Sequence, residues 1–269
     1  VAGCWFMSQA HTAFDAALPS PHGPLPILFQ DQHMVVIHKP AGWLVHRTGL
    51  DAGETRFVVQ TLRDQLGQWV YPVHRLDKGT SGVLLMALSS EAARALVPLF
   101  EQHAVHKSYL AMVRGWPADR FDVDHALRPD DAPPDAPTQS AFTAFETLAH
   151  LNLPVPVDRY PSTRVALVQA QPQTGRRHQI RRHLKHVSHP IIGDATHGKG
   201  AHNRWWADYL GQQRLWLHAQ CLSFTHPFSG EPLQVRSDLS QPFNQDWQRL
   251  LTEDWTSLAG GPDLGQTVR

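Results

Sequence analysis

Three stretches, far apart in the chain, carry side chains whose types and spacing suit acid–base or nucleophilic chemistry beside an anion. The first is His74-Arg75-Leu76-Asp77-Lys78-Gly79-Thr80-Ser81-Gly82, set between two apolar runs. An aspartate in a Gly/Thr/Ser turn is most often a turn or capping residue. Here Arg75 and Lys78 flank Asp77, and nearby cations keep a carboxylate ionised and able to act as base or nucleophile. The second stretch, Lys107-Ser108-Tyr109, opens a strand, where a lone tyrosine is more commonly a packing residue. The third runs Thr174-Gly175-Arg176-Arg177-His178-Gln179-Ile180-Arg181-Arg182-His183-Leu184 and opens a basic helix. Helix N-terminal N–H groups together with arginines favour a bound anion. His183, His186 and His189 recur every third residue, but with basic flanks and no carboxylate or cysteine beside them they make a poor metal set.

Composition tests that chemistry. The 269 residues hold 24 basic and 24 acidic side chains, a net charge of +0 that argues at first against a polyanionic partner. The distribution argues the other way. Of the 24 cations 19 are arginine, the side chain that forks onto phosphate, and five are lysine. Between positions 164 and 193 lie Arg164, Arg176, Arg177, Arg181, Arg182 and Lys185, with no Asp or Glu. Such a segment describes a local anion-binding surface. If about six phosphates are neutralised, log affinity falls with log salt at a slope of about −4. His74, His178, His183, His186 and His189 lie in or beside the motifs, so mild acid is expected to tighten binding. A hydrophobic share of 42% excludes a wholly disordered chain. Two cysteines, Cys4 and Cys221, make neither a disulfide framework nor a zinc cluster. There is no apolar run of ~18 residues and no signal-peptide pattern, so a cytoplasmic protein without membrane association is expected.

The elements that must position these groups read as a mixed α/β order. Residues 27–30 and 34–38 form a hairpin leading into a turn at Lys39-Pro40-Ala41-Gly42. A short apolar strand covers 83–88. Ser89 or Ser90 then caps a helix in which Ala92, Ala95, Leu96, Leu99, Phe100 and His103 share a face. Strands are expected at 107–114, 142–147, 164–171, 215–224 and 233–236, and a last helix near 242–251. Residues 115–139, rich in Pro and Asp, read as a long loop or inserted excursion. A helix over 177–189 puts Ile180, Leu184 and Val187 on one face and Arg177, Arg181 and Lys185 on the next. Trp205 and Trp206, in a polar stretch, are read as packing residues before ligand contacts.

Taken together and in order, the three motifs resemble those of the RluA-type pseudouridine synthases. His74-Arg75-Leu76-Asp77 with Thr80-Ser81-Gly82 is similar to the catalytic motif, and Thr174-Gly175-Arg176 with His178-Gln179-Ile180-Arg181 to a later one. Lys107 and Tyr109 stand where that family places its active-site tyrosine. Gly42-Trp43-Leu44-Val45-His46-Arg47, Phe100-Glu101-Gln102-His103 and Arg159-Tyr160-Pro161 are similar to a tRNA-modifying subgroup. The resemblance implies an α/β fold of the α+β type, with a long, mostly antiparallel mixed sheet in two halves flanking an active-site cleft. It implies isomerisation of an RNA uridine to pseudouridine without cofactor or metal, the subgroup's target being uridine 65 of the tRNA T-stem. A ribosomal RNA uridine is the alternative, and a non-catalytic RNA-binding protein the alternative of another class. Asp77 is then the essential carboxylate, acting on ribose C2′ as base or C1′ as nucleophile. Arg181 is its ion-pair partner, Tyr109 lies against the uracil and takes part in removing its C5 proton, and Ile180 is the apolar wall under the base. Arg75 fills the space that the flipped base vacates, and His74, Lys78, Arg176, Arg177, His178 and Arg182 are RNA contacts. One catalytic domain is expected over 27–255, without an S4-like RNA-binding domain. Residues 1–26 form a loosely ordered extension in which Met7 is a candidate start, and 256–269 a C-terminal tail. A tRNA substrate and a monomer with no obligate protein partner complete the expectation.

Overall fold

A computed structural model describes residues 23–46, 54–133 and 135–258, so most of the expected N-terminal extension and of the tail lies outside the described residues. Among these residues eleven strands join one sheet in the order β1-β2-β4-β9-β5-β8-β7-β11, with β3 on β4, β10 on β9 and β6 on β7. The strands are β1 (Ile27–Gln30), β2 (Met34–Lys39), β3 (Tyr71–Pro72), β4 (Ser81–Ala87), β5 (His106–Arg114), β6 (Arg120–Asp124), β7 (Phe142–Leu153), β8 (Thr163–Pro172), β9 (Leu217–Thr225), β10 (Pro232–Arg236) and β11 (Thr256–Ser257). All pairings are antiparallel except β4 with β9, a seam of only two residue pairs, Ser81 with His218 and Gly82 with Ala219. This seam joins the two halves of the sheet. Gly82 sits in it at φ +112, where a Cβ would stand 2.1 Å from the Ala219 carbonyl oxygen, so only glycine lets the strands meet. Below it a buried polar chain crosses between the halves. Arg214 Nη2 donates to Ser81 Oγ, Ser81 bonds His218 Nδ1 at 2.9 Å, and His218 Nε2 donates to the Ser237 carbonyl.

Strands β2 and β4 are buried on both faces and accordingly read as continuous apolar runs. Val35, Ile37, Leu84 and Met86 pack under α1 (Val58–Leu66) with Val58 and Leu62. Met34, Val36, Val83 and Leu85 pack on the opposite face with Ala92 and Leu96 of α2 (Ser90–Glu101), whose cap, Ser89, accepts the Ala92 N–H at 3.0 Å. A third core, around β5, β7 and β8, holds α3 (Gln179–His186), α4 (Gly200–Leu210) and α5 (Gln245–Leu251).

Three expectations about elements need correction. The stretch 115–139 is not all loop, because β6 lies inside it and pairs along β7 from Arg120 opposite Glu146 to Asp124 opposite Phe142. Its alternating Phe121 and Val123 are masked by the surrounding Pro and Asp. The basic helix is eight residues long, not thirteen, because His178 takes a left-handed conformation (φ 55, ψ 23) and Val187 ends it. Strand β11 pairs with Ala149 and His150 at the outer edge of β7, so the sheet continues past residue 255. The packing role expected of the tryptophan pair holds for Trp206, which is fully buried, while Trp205 stacks on Tyr209.

Candidate active site

The turn that carries Asp77 leaves β3 and enters β4, closed by a bond from the Thr80 N–H to the Asp77 carbonyl. It is pinned from beneath by the Gly42 N–H and the Lys39 ammonium, both donating to the Lys78 carbonyl, at 2.8 and 3.1 Å. Sequence reasoning took Lys39 only as a turn signal. It is fully buried, and burial pushes its ammonium down to about 7 although the Asp77 charge pulls the other way.

Arg181 comes from α3, on the other half of the sheet. Its Nη1 donates to Asp77 Oδ2 at 2.9 Å, while Nε and Nη2 fork onto Asp194 at 2.7 and 2.9 Å. Asp194, fully buried, also accepts the Thr196 and His197 N–H groups. Burial raises a carboxyl, but here the hydrogen bonds from Arg181 and His197 and the charge of Arg181 outweigh it and hold Asp194 below its ordinary value. Burial lowers a guanidinium, and the two carboxylates outweigh it, so Arg181 stays charged. One arginine is thus locked by a deep carboxylate and presented to a shallower one, Asp77, which opens onto a cleft. Asp194 was not assigned a role from sequence, although it follows the basic segment by one residue. Gly193 brings it into place at φ +79, where a Cβ would stand 1.7 Å from the Arg214 carbonyl oxygen.

Asp77 opens onto a cavity of about 520 Å³ between the two halves, within the size range of small-molecule sites. Tyr109, Ile180 and Leu76 supply its apolar side, and His74, Arg75, Arg176, His178 and Arg181 also line it. Lys78, Arg177 and Arg182 do not. Tyr109 packs where two of the cores meet, and burial together with the Asp77 charge pushes its phenol far above the ordinary value, so it remains protonated. Gln179 fixes the third motif. Its Oε1 accepts the Thr174 hydroxyl and the Arg176 N–H, and its Nε2 donates to the Phe142 carbonyl and Thr143 Oγ1.

Of the basic face expected on this helix, Lys185 is exposed, but Arg177 and Arg181 are taken up by carboxylates. Arg181 points inward, because Ile180 and Leu184 set the buried side and Arg181 shares it. Arg177, His178 and Arg182 converge on Asp130, from the loop between β6 and β7 and about fifty residues away in sequence. His178 Nδ1 lies 2.7 Å from Asp130 Oδ2, Arg182 Nη1 3.1 Å from Oδ1 and Arg177 Nε 3.4 Å from Oδ2, while Asp131 takes Arg177 Nη1 at 2.5 Å. The other edge of His178 faces Asp77 at 3.8 Å. Lys78 pairs with Glu54, and Arg176 Nε donates to the Ser140 carbonyl. Arg75 is exposed.

Two expectations about histidine also change. His74 stacks on Phe100 and its Nε2 accepts the Leu85 N–H, so it braces β4. Burial, with Lys107 nearby, pushes it down to about 3, and it stays neutral in mild acid. His183, His186 and His189 diverge to different partners, the Thr143 hydroxyl, the His125 ring and the Arg114 carbonyl.

The Asp77–Arg181 pair, locked from behind by Asp194, and Tyr109 thus meet at one cavity at the seam of the two-part sheet. Residues 33–186 match the family model described as RNA pseudouridylate synthase, and the chain belongs to that family; it is an RNA pseudouridine synthase, an isomerase. Among curated relatives, tRNA pseudouridine synthase C of Vibrio cholerae is 47% identical over 236 residues, covering 85% of this chain and 95% of its own. The protein of the same name from Salmonella typhi is 48% identical over 247 residues, covering 87% and 92%. The solved human RNA pseudouridylate synthase domain containing 4 superposes with a TM-score of 0.61 at 27% identity, over 84% of this chain and 92% of that one. Human RNA pseudouridylate synthase domain containing 1 shares the fold at a TM-score of 0.64 and 24% identity, over 87% and 89%.

Proposed function

We propose that this protein converts a tRNA uridine, at position 65 of the T-stem, to pseudouridine, with Asp77 as the reacting carboxylate and no cofactor. The observation that carries the reading is the Asp77–Arg181–Asp194 relay at the floor of the cavity. Asp77 acts on the ribose, at C1′ as nucleophile or C2′ as base, with the Arg181 guanidinium held against it as counter-charge. Tyr109, protonated and beside Asp77, faces the uracil and takes part in moving the C5 proton. Ile180 is the wall against which the base packs. The uridine must leave its stack to enter, at a cost of a few kcal/mol, and Arg75 fills the space it leaves. Arg176 meets a flanking phosphate directly, Arg177, His178 and Arg182 do so by exchanging Asp130 and Asp131 for it, and Lys78, by exchanging Glu54, contacts RNA at the rim. The tRNA assignment rests on the likeness to the curated relatives over nearly their whole length. A cytoplasmic location and a monomeric state belong to the same reading, and among the described residues no helix is long and apolar enough to cross a membrane.

The test is to incubate the protein with unmodified tRNA and ribosomal RNA transcripts and map pseudouridine by carbodiimide labelling and primer extension. One Asp77-dependent site in the tRNA T-stem is expected. Modification of ribosomal RNA alone overturns the substrate, and full activity of Asp77→Ala overturns the role of Asp77.

A further inference from the structure

At the far end of strands β5 and β8 lies a second cavity, of about 520 Å³, that the reaction does not use. Arg114, Arg164, Tyr160, Trp116 and His202 line it, and its lining holds no carboxylate. Each arginine around it rests on an aromatic ring. The Arg164 guanidinium lies 4.8 Å from the centre of Trp116, and those of Arg114 and Arg159 lie 5.7 and 5.3 Å from Tyr160, whose hydroxyl accepts from both. Stacking of this kind fixes the direction of a guanidinium without neutralising it. Among the described residues none of these three arginines is in an ion pair. Arg177, Arg181 and Arg182 of the catalytic side, by contrast, each face a carboxylate.

His202 is a second and independent observation. It is 3% exposed, lines the cavity, and among the described residues neither ring nitrogen has a hydrogen-bond partner. Buried polar groups rarely stay unpaired without a ligand or solvent to satisfy them. Its burial and the Arg114 charge keep the ring neutral, with one N–H to donate.

We propose that this cavity is a second RNA contact, a pocket for backbone phosphate of the same substrate, which rests on the reading of the protein as a tRNA enzyme. From Tyr109 to Arg114 the strand climbs five residues, about 17 Å at roughly 3.3 Å each, so the pocket meets RNA well outside the reacting nucleotide. Phosphate, and not a base, is the ligand class, because the guanidinium groups already occupy ring faces of Trp116 and Tyr160. Asp158 acts on Arg159 and His202 from outside the lining, but arginines that no carboxylate pairs still focus positive potential on a polyanion in a concave site.

The test uses the Arg159→Gln/Arg164→Gln double variant, two exposed positions, against Arg94→Gln/Arg249→Gln as a control of equal charge change. Affinity is measured against salt for a full tRNA transcript and for a hairpin too short to reach beyond the catalytic cavity. The double variant should bind tRNA more weakly and lower its salt slope by about 1.4–1.8, two contacts at ~0.7–0.9 each. Hairpin affinity and single-turnover rate should stay unchanged. A double variant that binds tRNA like the control, or loses the hairpin equally, overturns the pocket. Titration with inorganic phosphate separates the sources, since loss of phosphate binding without loss of tRNA affinity assigns the pocket to a free anion and overturns the RNA contact. Wild-type protein that forms no pseudouridine in tRNA refutes the functional reading instead.

Discussion

The relay makes two isosteric substitutions behave in opposite ways. Asp194→Asn puts an amide where four donors already point, namely Arg181 Nε and Nη2 and the N–H groups of Thr196 and His197. Whichever way the amide turns, its NH2 faces another donor, and a buried guanidinium loses its main counter-charge. Removing one partner of a buried ion pair costs roughly 3–5 kcal/mol. At about 2–4 °C per kcal/mol for a domain of this size, Tm should fall by roughly 6–20 °C. Asp77→Asn is different, because its side chain is 23% exposed and its oxygen can still accept from Arg181, which keeps Asp194. Its Tm should move by less than about 4 °C, for a cost below about 1 kcal/mol. Activity should invert the order. Asp77→Asn, with neither base nor nucleophile, should lose at least about 10³-fold, and Asp194→Asn, through a misplaced Arg181, about 10–100-fold. Calorimetry and single-turnover pseudouridine formation measure both. Equal losses of Tm, or an active Asp77→Asn, would refute the division of labour between the two carboxylates.

The remaining expectations concern charge and backbone. Asp130→Asn frees Arg177, His178 and Arg182 for phosphate, so RNA affinity should rise several-fold at fixed salt in a filter-binding assay, and weaker binding would contradict the geometry. Because Asp194 is depressed in the folded state, its stabilisation is present above its unfolded value near 3.8 and is lost as pH falls through the lower folded value; urea unfolding below pH 4 should show the loss, and Asp194→Asn should lack it. Lys39, pushed down to about 7, is neutral when folded and charged when unfolded between about pH 7 and 10, so stability should rise with pH across that window, a rise that Lys39→Met should remove. Gly82→Ala meets the Ala219 carbonyl and a positive φ, and should cost more than about 1 kcal/mol in a denaturant titration.

Strand periodicity and the cap at Ser89 were legible in the sequence, as were the three motif loops, because each depends on neighbours within a few positions. Asp77, Tyr109, Ile180 and Arg181 meet around one cavity as the motifs imply. What was not legible depends on distant chain. Helical spacing shows that Arg177, Arg181 and Lys185 are neighbours, but which neighbour turns inward is set by Asp194 and by the core around Leu184. The absence of acids between 164 and 193 was true of the segment and misleading for the surface, since Asp130 and Asp131 fold back onto it. Helix α4 begins Gly-Ala-His-Asn without a cap signal and went unread. The buried state of Lys39 has no local signature at all.

The two-pair seam between β4 and β9 has a mechanical consequence. Asp77 hangs from one side of it and Arg181 from the other, so their 2.9 Å bond ties the two halves together across it. A hydrogen bond of that kind fails within about an ångström of stretch. A shift of one half against the other by that much would therefore part Asp77 from Arg181. A substitution anywhere along the seam can act on turnover without touching the cavity.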